Sequence, residues 1–270
     1  MRSVIESVFI SHGAPTYALD PGEPGSALRI VGQQMLAQGS ELLILVSPHW
    51  RSATLAVTSH EAPVIVHDFH GFPKALYELK PEIAGAPEMA SKLGQFLGEK
   101  GAPVDQRLQQ GFDHGAWVPY LHLFPQGGPR LVQLSMPVEW TGKTAMAVGK
   151  LVGEFARANR AVVVGSGSLT HNFDDMDLRA GSGGSRVVPG HVTRFTEWVS
   201  QRLKENERMA IAQADQLAPG FARVHPDDDH YLPLPFALGA ASENAEVEVL
   251  PEDVRYRALS MQSYVFRTVA

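Results

Sequence analysis

Two runs of apolar residues near the start of the chain each end in a turn that contains a histidine. Residues 8–10 (Val-Phe-Ile) lead into Ser-His-Gly-Ala-Pro, and residues 42–46 (Leu-Leu-Ile-Leu-Val) lead into Ser-Pro-His-Trp. Uninterrupted apolar runs bounded by Gly or Pro are typical of strands buried on both faces. Open α/β sheets bind ligands just past the C-terminal ends of such strands. The pattern therefore predicts that His12 and His49 lie together at one edge of a sheet.

The rest of the chain alternates short apolar or β-branched runs with longer segments of helical periodicity. Further strands are predicted at residues 55–58, 64–66, 104–108, 130–134, 161–164, 247–250 and 263–269. Helices are predicted at residues 26–38, 87–98, 114–124, 141–158, 190–203, 208–216 and 234–241, the first of them capped by Ser26. This alternation favours an α/β fold, a three-layer α/β/α sandwich, and the closing strands favour a central mixed β-sheet. No linker or repeat divides the chain, and residues 181–184 are expected to form a small flexible loop.

Composition limits the possible binding partners of the protein and the kind of metal site that it can contain. The net charge is −6, and the 270 residues include no cysteine. An acidic chain argues against nucleic acid or an anionic membrane as the main partner, because both attract basic surfaces. No apolar run reaches the length of a membrane span and no signal-peptide pattern is present, so a cytoplasmic protein is expected. Without thiolates, any metal must be held by imidazole and carboxylate groups, which suit iron, zinc or manganese.

Two further histidines occupy positions comparable to those of the first pair. His171 follows another buried strand through a Gly-Ser-Gly-Ser-Leu-Thr stretch, and His230 follows three aspartates ahead of an apolar helix. Ligands spread along the chain are typical of catalytic metal sites, whereas structural zinc sites use closely spaced pairs. We therefore take His12, His49, His171 and His230 as candidate metal ligands. Since no short-spaced metal motif is present, a surface or capping role for any single histidine stays open.

Two further features have two interpretations each, and a third has one. His114 is either a donor in a pocket or simply the first residue of a helix capped by Asp113. The aspartates at residues 227–229 are either a source of a carboxylate ligand or a solvated turn. Gly165 and Gly167 belong to neither a phosphate loop nor a hydrolase nucleophile motif, so we expect them to let the backbone pass close to a ligand.

Six motifs, taken in order, make the chain similar to one known family. They are residues 11–15 (SHGAP), 47–50 (SPHW), 68–73 (DFHGFP), 111–119 (GFDHGAWVP), 165–172 (GSGSLTHN) and 225–233 (HPDDDHYLP). The set resembles the class III extradiol ring-cleavage dioxygenases, a LigB-like superfamily, and within it the DOPA 4,5-dioxygenase type. The resemblance spans nearly the whole chain.

The resemblance implies that residues 1–270 form a single catalytic domain of a non-haem Fe(II) enzyme. Such an enzyme uses O2 to open a catechol-type ring beside its two hydroxyls, giving a muconic semialdehyde. His12, His49 and His230 match the metal ligands. His171 matches the acid–base catalyst, which can also bind the resting metal, and His114 matches a further catalytic histidine of the pocket. Members of this branch also hold Zn(II), so the resemblance leaves the metal open.

Aromatic residues near these motifs are the candidate substrate contacts. Trp50, Phe69, His70 and Phe72 are predicted to bind the substrate, whereas Trp117 is either a pocket wall or a core residue. His171 is expected to titrate near the working pH, as an acid–base catalyst requires. Two other functions stay open, a zinc-dependent hydrolase and a non-catalytic metal- or aromatic-binding protein on the same scaffold. Asp229 in place of His230 would restore a two-histidine, one-carboxylate site.

Overall fold

The computed structural model describes residues 3–177 and 187–269, and the loop predicted at residues 181–184 lies outside them. The strands are β1 (Ser3–Ser11), β2 (Leu42–Ser52), β3 (Ala56–Thr58), β4 (Asp105–Arg107), β5 (Arg130–Pro137), β6 (Ala161–Gly167), β7 (Glu246–Val249), β8 (Val254–Arg255), β9 (Leu259–Ser260) and β10 (Tyr264–Val269). The α-helices are α1 (Gly22–Ala37), α2 (Lys74–Glu78), α3 (Pro87–Glu99), α4 (His114–Leu123), α5 (Gly142–Ala158), α6 (Gly190–Lys204), α7 (Arg208–Ala212), α8 (Ala214–Leu217), α9 (Phe221–Val224) and α10 (Pro233–Ala240). Short 3-10 helices span Pro15–Ala18 and Phe173–Asp175.

The central sheet is mixed, as the sequence predicts. Within the described residues its eight strands lie in the order β4-β3-β5-β2-β6-β1-β10-β7. Strands β5, β2, β6 and β1 run parallel, whereas β10 is antiparallel to β1 and β7 is antiparallel to β10. Because β2, β6 and β1 are adjacent and parallel, their C-terminal ends open on the same edge of the sheet, where α/β proteins place ligands.

Successive residues of the central strands pack on opposite faces of the sheet. Leu43 and Leu45 of β2 belong to the core cluster that contains Trp117 of α4. Ile44, between them, belongs to the cluster on the other face, together with Phe236 of α10. Helices α1 and α4 therefore cover one face and α3, α5 and α10 the other, which confirms the three-layer sandwich.

Two predicted strands differ from the observed ones. Residues 64–66 form no strand, since Ile65 makes only an isolated bridge to Phe112. The strand predicted at residues 104–108 is limited to β4, and all of its residues are exposed. An edge strand of this kind lacks a buried face, so alternation in its sequence carries little information about its length.

Two helices also begin or end differently from the prediction. Helix α1 begins at Gly22, and Ser26 lies inside it with its hydroxyl donating to the Gly22 carbonyl at 3.1 Å. Pro24 in the first turn explains the early start, because the first helical N–H groups have no partner to lose. The helix predicted at residues 208–216 is interrupted at Gln213, where φ is −119° and ψ is 26°. No helix in the described part of the chain is both long and apolar enough to cross a membrane.

Candidate metal centre and cavity

The ends of two parallel strands deliver histidines to the same edge of the sheet. His12 directly follows β1, and its backbone N–H donates to the carbonyl of Gly167 at the end of β6 (2.8 Å). His171 lies beyond the end of β6, and its backbone N–H donates to the carbonyl of Val224 in α9 (2.9 Å). The backbone of both residues is thus fixed by hydrogen bonds to neighbouring elements.

His49 lies inside a strand, although the sequence predicts it just past a strand end. Strand β2 continues to Ser52, and its pairing with β5 shifts register between Val46 and Arg51. An irregularity of this kind changes the direction in which side chains point. Gly115 at the start of α4 allows the close packing there, because a Cβ on it would lie 3.0 Å from His49 Cδ2.

The glycines of β6 have a different neighbour from the one expected. A Cβ on Gly167 would lie 2.3 Å from the carbonyl oxygen of His230, and one on Gly165 would lie 2.0 Å from that of Pro233. The backbone N–H of Ser168 also donates to the His230 carbonyl (3.0 Å). The glycines therefore let the segment that carries His230 approach the sheet edge, rather than a ligand approach the backbone.

Three imidazoles from distant parts of the chain converge at this edge. The Nε2 atoms of His12 and His49 are 3.1 Å apart, and the ring of His230 lies 5.4 Å and 5.1 Å from these two rings, centroid to centroid. One donor atom from each residue lies within 4.8 Å of the other two, so the three residues could hold one metal ion. The same limit is met by two overlapping groups, His49–Asp68–His114 and His171–Asp229–His230.

The second ring nitrogen of each converging imidazole has its own partner. His12 Nδ1 lies 2.9 Å from the hydroxyl oxygen of Ser166. His230 Nδ1 lies 2.8 Å from Asp229 Oδ1, which also accepts the His230 backbone N–H at 2.6 Å. Because an ionised carboxylate only accepts, Nδ1 of His230 carries the proton and Nε2 keeps its lone pair. Neither of the interpretations of Asp229 from sequence, a ligand or part of a solvated turn, includes this orienting role, and no such role was predicted for Ser166.

Asp68 orients two more rings, a role that the sequence analysis did not assign. Its Oδ2 lies 3.0 Å from His114 Nδ1 and 3.5 Å from His49 Nδ1, and its Oδ1 accepts the His114 backbone N–H at 2.9 Å. Burial raises the pKa of Asp68, but the hydrogen bonds from His114 outweigh it, so the pKa is lowered and the carboxylate is ionised. The sequence signal for this role was the position of Asp68 directly before Phe69, within the motif of residues 68–73.

A second carboxylate, that of Asp113, lies in the core and stabilises the elements at this edge of the sheet. It caps α4 by accepting the Ala116 N–H at 3.2 Å, which fits the interpretation of this residue as a helix cap. The same carboxylate also accepts the Ser47 hydroxyl at 2.7 Å and the Gln133 side-chain N–H. Burial raises the pKa of Asp113. The residue thus connects β2, β5 and α4 within the core.

Burial favours the neutral form of three imidazoles of the site, those of His12, His49 and His171. It lowers the pKa of His12 and of His49 well below the usual 6.5, and the neighbouring histidines lower both further. Burial, followed by the proximity of His230, lowers the pKa of His171 to about 3. This low pKa differs from the titration near neutral pH that was expected for His171. Neutral imidazoles offer lone pairs, which both metal binding and proton uptake require.

A cavity of about 980 Å³ opens onto the histidines. The histidines that line it are His49, His70, His114, His171 and His230. Phe69 and Phe72, both predicted to contact the substrate, also line it, as does Phe173, which the sequence analysis did not single out. The ring of His171 lies parallel to that of His230, with 3.7 Å between centroids, and edge-on to Phe173 at 4.9 Å.

Two tryptophans considered for the wall of the cavity lie elsewhere. Trp50 is buried and is not part of the described wall. Trp117 is fully buried in the core, and its Nε1–H donates to the Val66 carbonyl at 3.1 Å. In both cases an apolar side chain next to a motif contributes to packing. Its position in the sequence alone does not show whether it packs in the core or contacts a ligand.

Fold and site together define an α/β protein with a cavity built around a candidate metal centre. The family described as the catalytic LigB subunit of aromatic ring-opening dioxygenase matches residues 6–267, so the chain belongs to this family of metal-dependent dioxygenases. The chain is 28% identical to a 4,5-DOPA dioxygenase extradiol of Beta vulgaris over 266 residues, which are 98% of this chain and 97% of that protein.

Similarity to Escherichia coli K12 is found both in sequence and in structure. A 4,5-DOPA dioxygenase extradiol is 28% identical over 268 residues, which cover 95% of this chain and 93% of that protein. The crystal structure of an uncharacterized protein shares the fold with a TM-score of 0.74 and 22% identity, covering 97% of this chain and 99% of the other. The resemblance to extradiol dioxygenases inferred from the six motifs is therefore confirmed.

Proposed function

We propose that the protein is a non-haem Fe(II) extradiol dioxygenase that opens a catechol ring beside its hydroxyls with O2, giving a muconic semialdehyde. The observation that carries the proposal is the pair of facing Nε2 atoms of His12 and His49, 3.1 Å apart, beside a cavity lined by aromatic rings. Relatives named 4,5-DOPA dioxygenase extradiol, similar over nearly the whole chain, support a catechol as the substrate class.

In this proposal His12, His49 and His230 are the metal ligands. Asp229 is the orienting partner of His230, because one of its oxygens already accepts two hydrogen bonds from that residue. The pre-oriented imidazoles suit Fe(II), although the same donors also suit Zn(II). Bound Fe(II) would supply the electron-transfer chemistry between catechol and O2, and three protein ligands leave coordination positions free for both.

His171 and His114 are the proposed proton-transfer groups. Both line the cavity, and the neutral ring of His171 can take a proton from a catechol hydroxyl. A negative charge on the bound catechol would raise the pKa of His171 from its low resting value. His114 donates Nδ1–H to Asp68, so its Nε2 carries a lone pair and can hold a second proton.

Anaerobic loading with Fe(II), followed by a catechol panel and O2, tests the proposal. We expect a yellow semialdehyde and one O2 consumed per catechol, and no O2 uptake with the zinc-loaded protein. Absence of turnover with every catechol at full Fe(II) occupancy would contradict the proposal. Zinc-supported hydrolysis of an ester or lactone without O2 uptake would instead indicate the hydrolase, and catechol binding without either reaction a binding protein.

A further inference from the structure

The cavity is far larger than a catechol ring requires. Its volume of about 980 Å³ lies near the upper end of the range, roughly 300 to 1,000 Å³, of pockets that enclose drug-sized ligands. The histidines occupy one part of its lining, so a catechol bound at the metal would leave much of the cavity to a substituent. The chemistry of the remaining wall therefore defines what that substituent is.

That wall presents aromatic rings on two sides of the histidines. Phe69 packs edge-to-face against Phe72 (5.4 Å between centroids) and against His114 (5.7 Å). Phe173 lies next to His171 and is 70% exposed. Burial of such a side chain by a ligand is favourable in proportion to the apolar area that is covered.

The backbone that carries Phe173 is firmly held, so the exposed ring is preformed. Asn172 accepts the Asp174 N–H at 2.9 Å, and its side-chain N–H donates to the Arg223 carbonyl at 2.6 Å. Asp175 accepts from His191 at 2.8 Å and is paired with the Arg223 guanidinium. A preorganised apolar surface binds with little cost in conformational entropy.

On the basis of the proposed dioxygenase function, we infer that the substrate is a catechol with an aryl or other large apolar substituent. Phe173 is the residue that selects for this substituent.

A matched pair of substrates tests the inference with the Fe(II)-loaded protein. Comparing 4-phenylcatechol with 4-methylcatechol isolates the aryl group. We expect kcat/KM to favour 4-phenylcatechol by about tenfold or more. An equal or lower kcat/KM for 4-phenylcatechol would overturn the inference while leaving the dioxygenase function intact.

The variant Phe173→Ala tests the selecting residue. We expect kcat/KM to fall about tenfold for 4-phenylcatechol and less than about threefold for 4-methylcatechol, with Phe173→Leu recovering part of the loss. Leu217→Ala is the matched control, since Leu217 is an exposed apolar residue outside the described cavity wall. An equal loss for both catechols would contradict selection by Phe173.

Binding to the metal-free protein provides a readout that does not depend on turnover. Calorimetry with 4-phenylphenol, which cannot chelate a metal, should give weaker binding to Phe173→Ala than to the unsubstituted chain by about three- to tenfold. Unchanged affinity would overturn the assignment of Phe173. If no catechol is turned over but 4-phenylphenol binds in this way, the dioxygenase proposal fails and the aryl-binding wall stands.

Discussion

Asp229 accepts the Nδ1–H of His230, the next residue in the chain, at 2.8 Å. Burial raises the pKa of Asp229, but the hydrogen bonds from His230 outweigh it and lower the pKa, so the carboxylate is ionised. An ionised partner on Nδ1 fixes the tautomer of the ring and increases the basicity of Nε2. The two residues therefore form one unit, in which the histidine is the proposed ligand and the aspartate orients it.

The first prediction concerns this pair. Asp229→Ala should weaken metal binding by about 10- to 100-fold without abolishing it, because an orienting partner is lost but the ligands remain. Isothermal titration with Zn(II) under chelator competition measures the effect, with Asp227→Ala as the control at a neighbouring exposed aspartate. Complete loss of binding in Asp229→Ala, with binding retained in His230→Gln, would identify the carboxylate as the ligand instead.

The second prediction concerns proton transfer by His171. His171→Ala should lower kcat with a catechol by about 10²- to 10⁴-fold, the usual contribution of a general acid–base group. The metal content should stay at one ion per chain, because His12, His49 and His230 are intact. Metal analysis and O2 uptake measure the two quantities, and His60→Ala at an exposed histidine is the control. Loss of the metal together with activity would show that His171 is an essential ligand.

The third prediction concerns Asp113, the buried carboxylate that caps α4. Asp113→Ala removes a helix cap, worth about 1 kcal/mol, and leaves the Ser47 and Gln133 donors without their carboxylate. The free energy of unfolding should fall by about 3 kcal/mol, since each buried unsatisfied group costs about 1 kcal/mol or more.

Urea denaturation measures this change against a matched helix cap. Thr141 caps α5 by accepting the Thr144 N–H, and its hydrogen bonds are exposed. Thr141→Ala should therefore cost only about 1 kcal/mol. Equal losses in the two variants would show that the contacts of Asp113 with the strands contribute nothing to stability.

The fourth prediction concerns stability at acidic pH. His122 is buried, donates Nε2–H to the Tyr17 carbonyl at 3.0 Å, and has its pKa lowered to about 4 by burial and by the nearby Arg255 and Arg29. Below the unfolded-state pKa of 6.5 the unfolded chain binds a proton that the folded chain does not. His122 therefore costs no stability above about pH 6.5, and the free energy of unfolding decreases as the pH falls from there toward about 4.

The variant His122→Gln, which keeps a donor but cannot titrate, isolates this effect. Between about pH 7 and pH 4.5 the metal-free unsubstituted chain should lose about 2.5 kcal/mol more stability than the variant. Urea denaturation at several pH values measures the difference. Parallel pH profiles for the two proteins would contradict the assignment of this loss to His122.

Local patterns predicted those features that neighbouring residues decide. The apolar run of β2 predicted a central strand, and the six motifs predicted the family. The local patterns gave wrong predictions where the same pattern fits two different structures. The run at residues 64–66 has the composition of a strand but pairs only at Ile65. Trp50 was predicted to bind the substrate but is buried and is not part of the described cavity wall. An apolar side chain has the same local signature in a core and in a pocket.

The sequence by itself determined the mixed α/β fold and which histidines lie at one edge of its sheet, because both follow from short-range periodicity and strand ends. Only the tertiary structure decided what orients those histidines. Ser166 meets His12 across 154 positions of sequence, and Asp68 meets His114 across 46. It also decided that Phe173 stays exposed beside His171. Such contacts depend on which strands are adjacent and how closely the chain can approach them, and no local pattern encodes that choice.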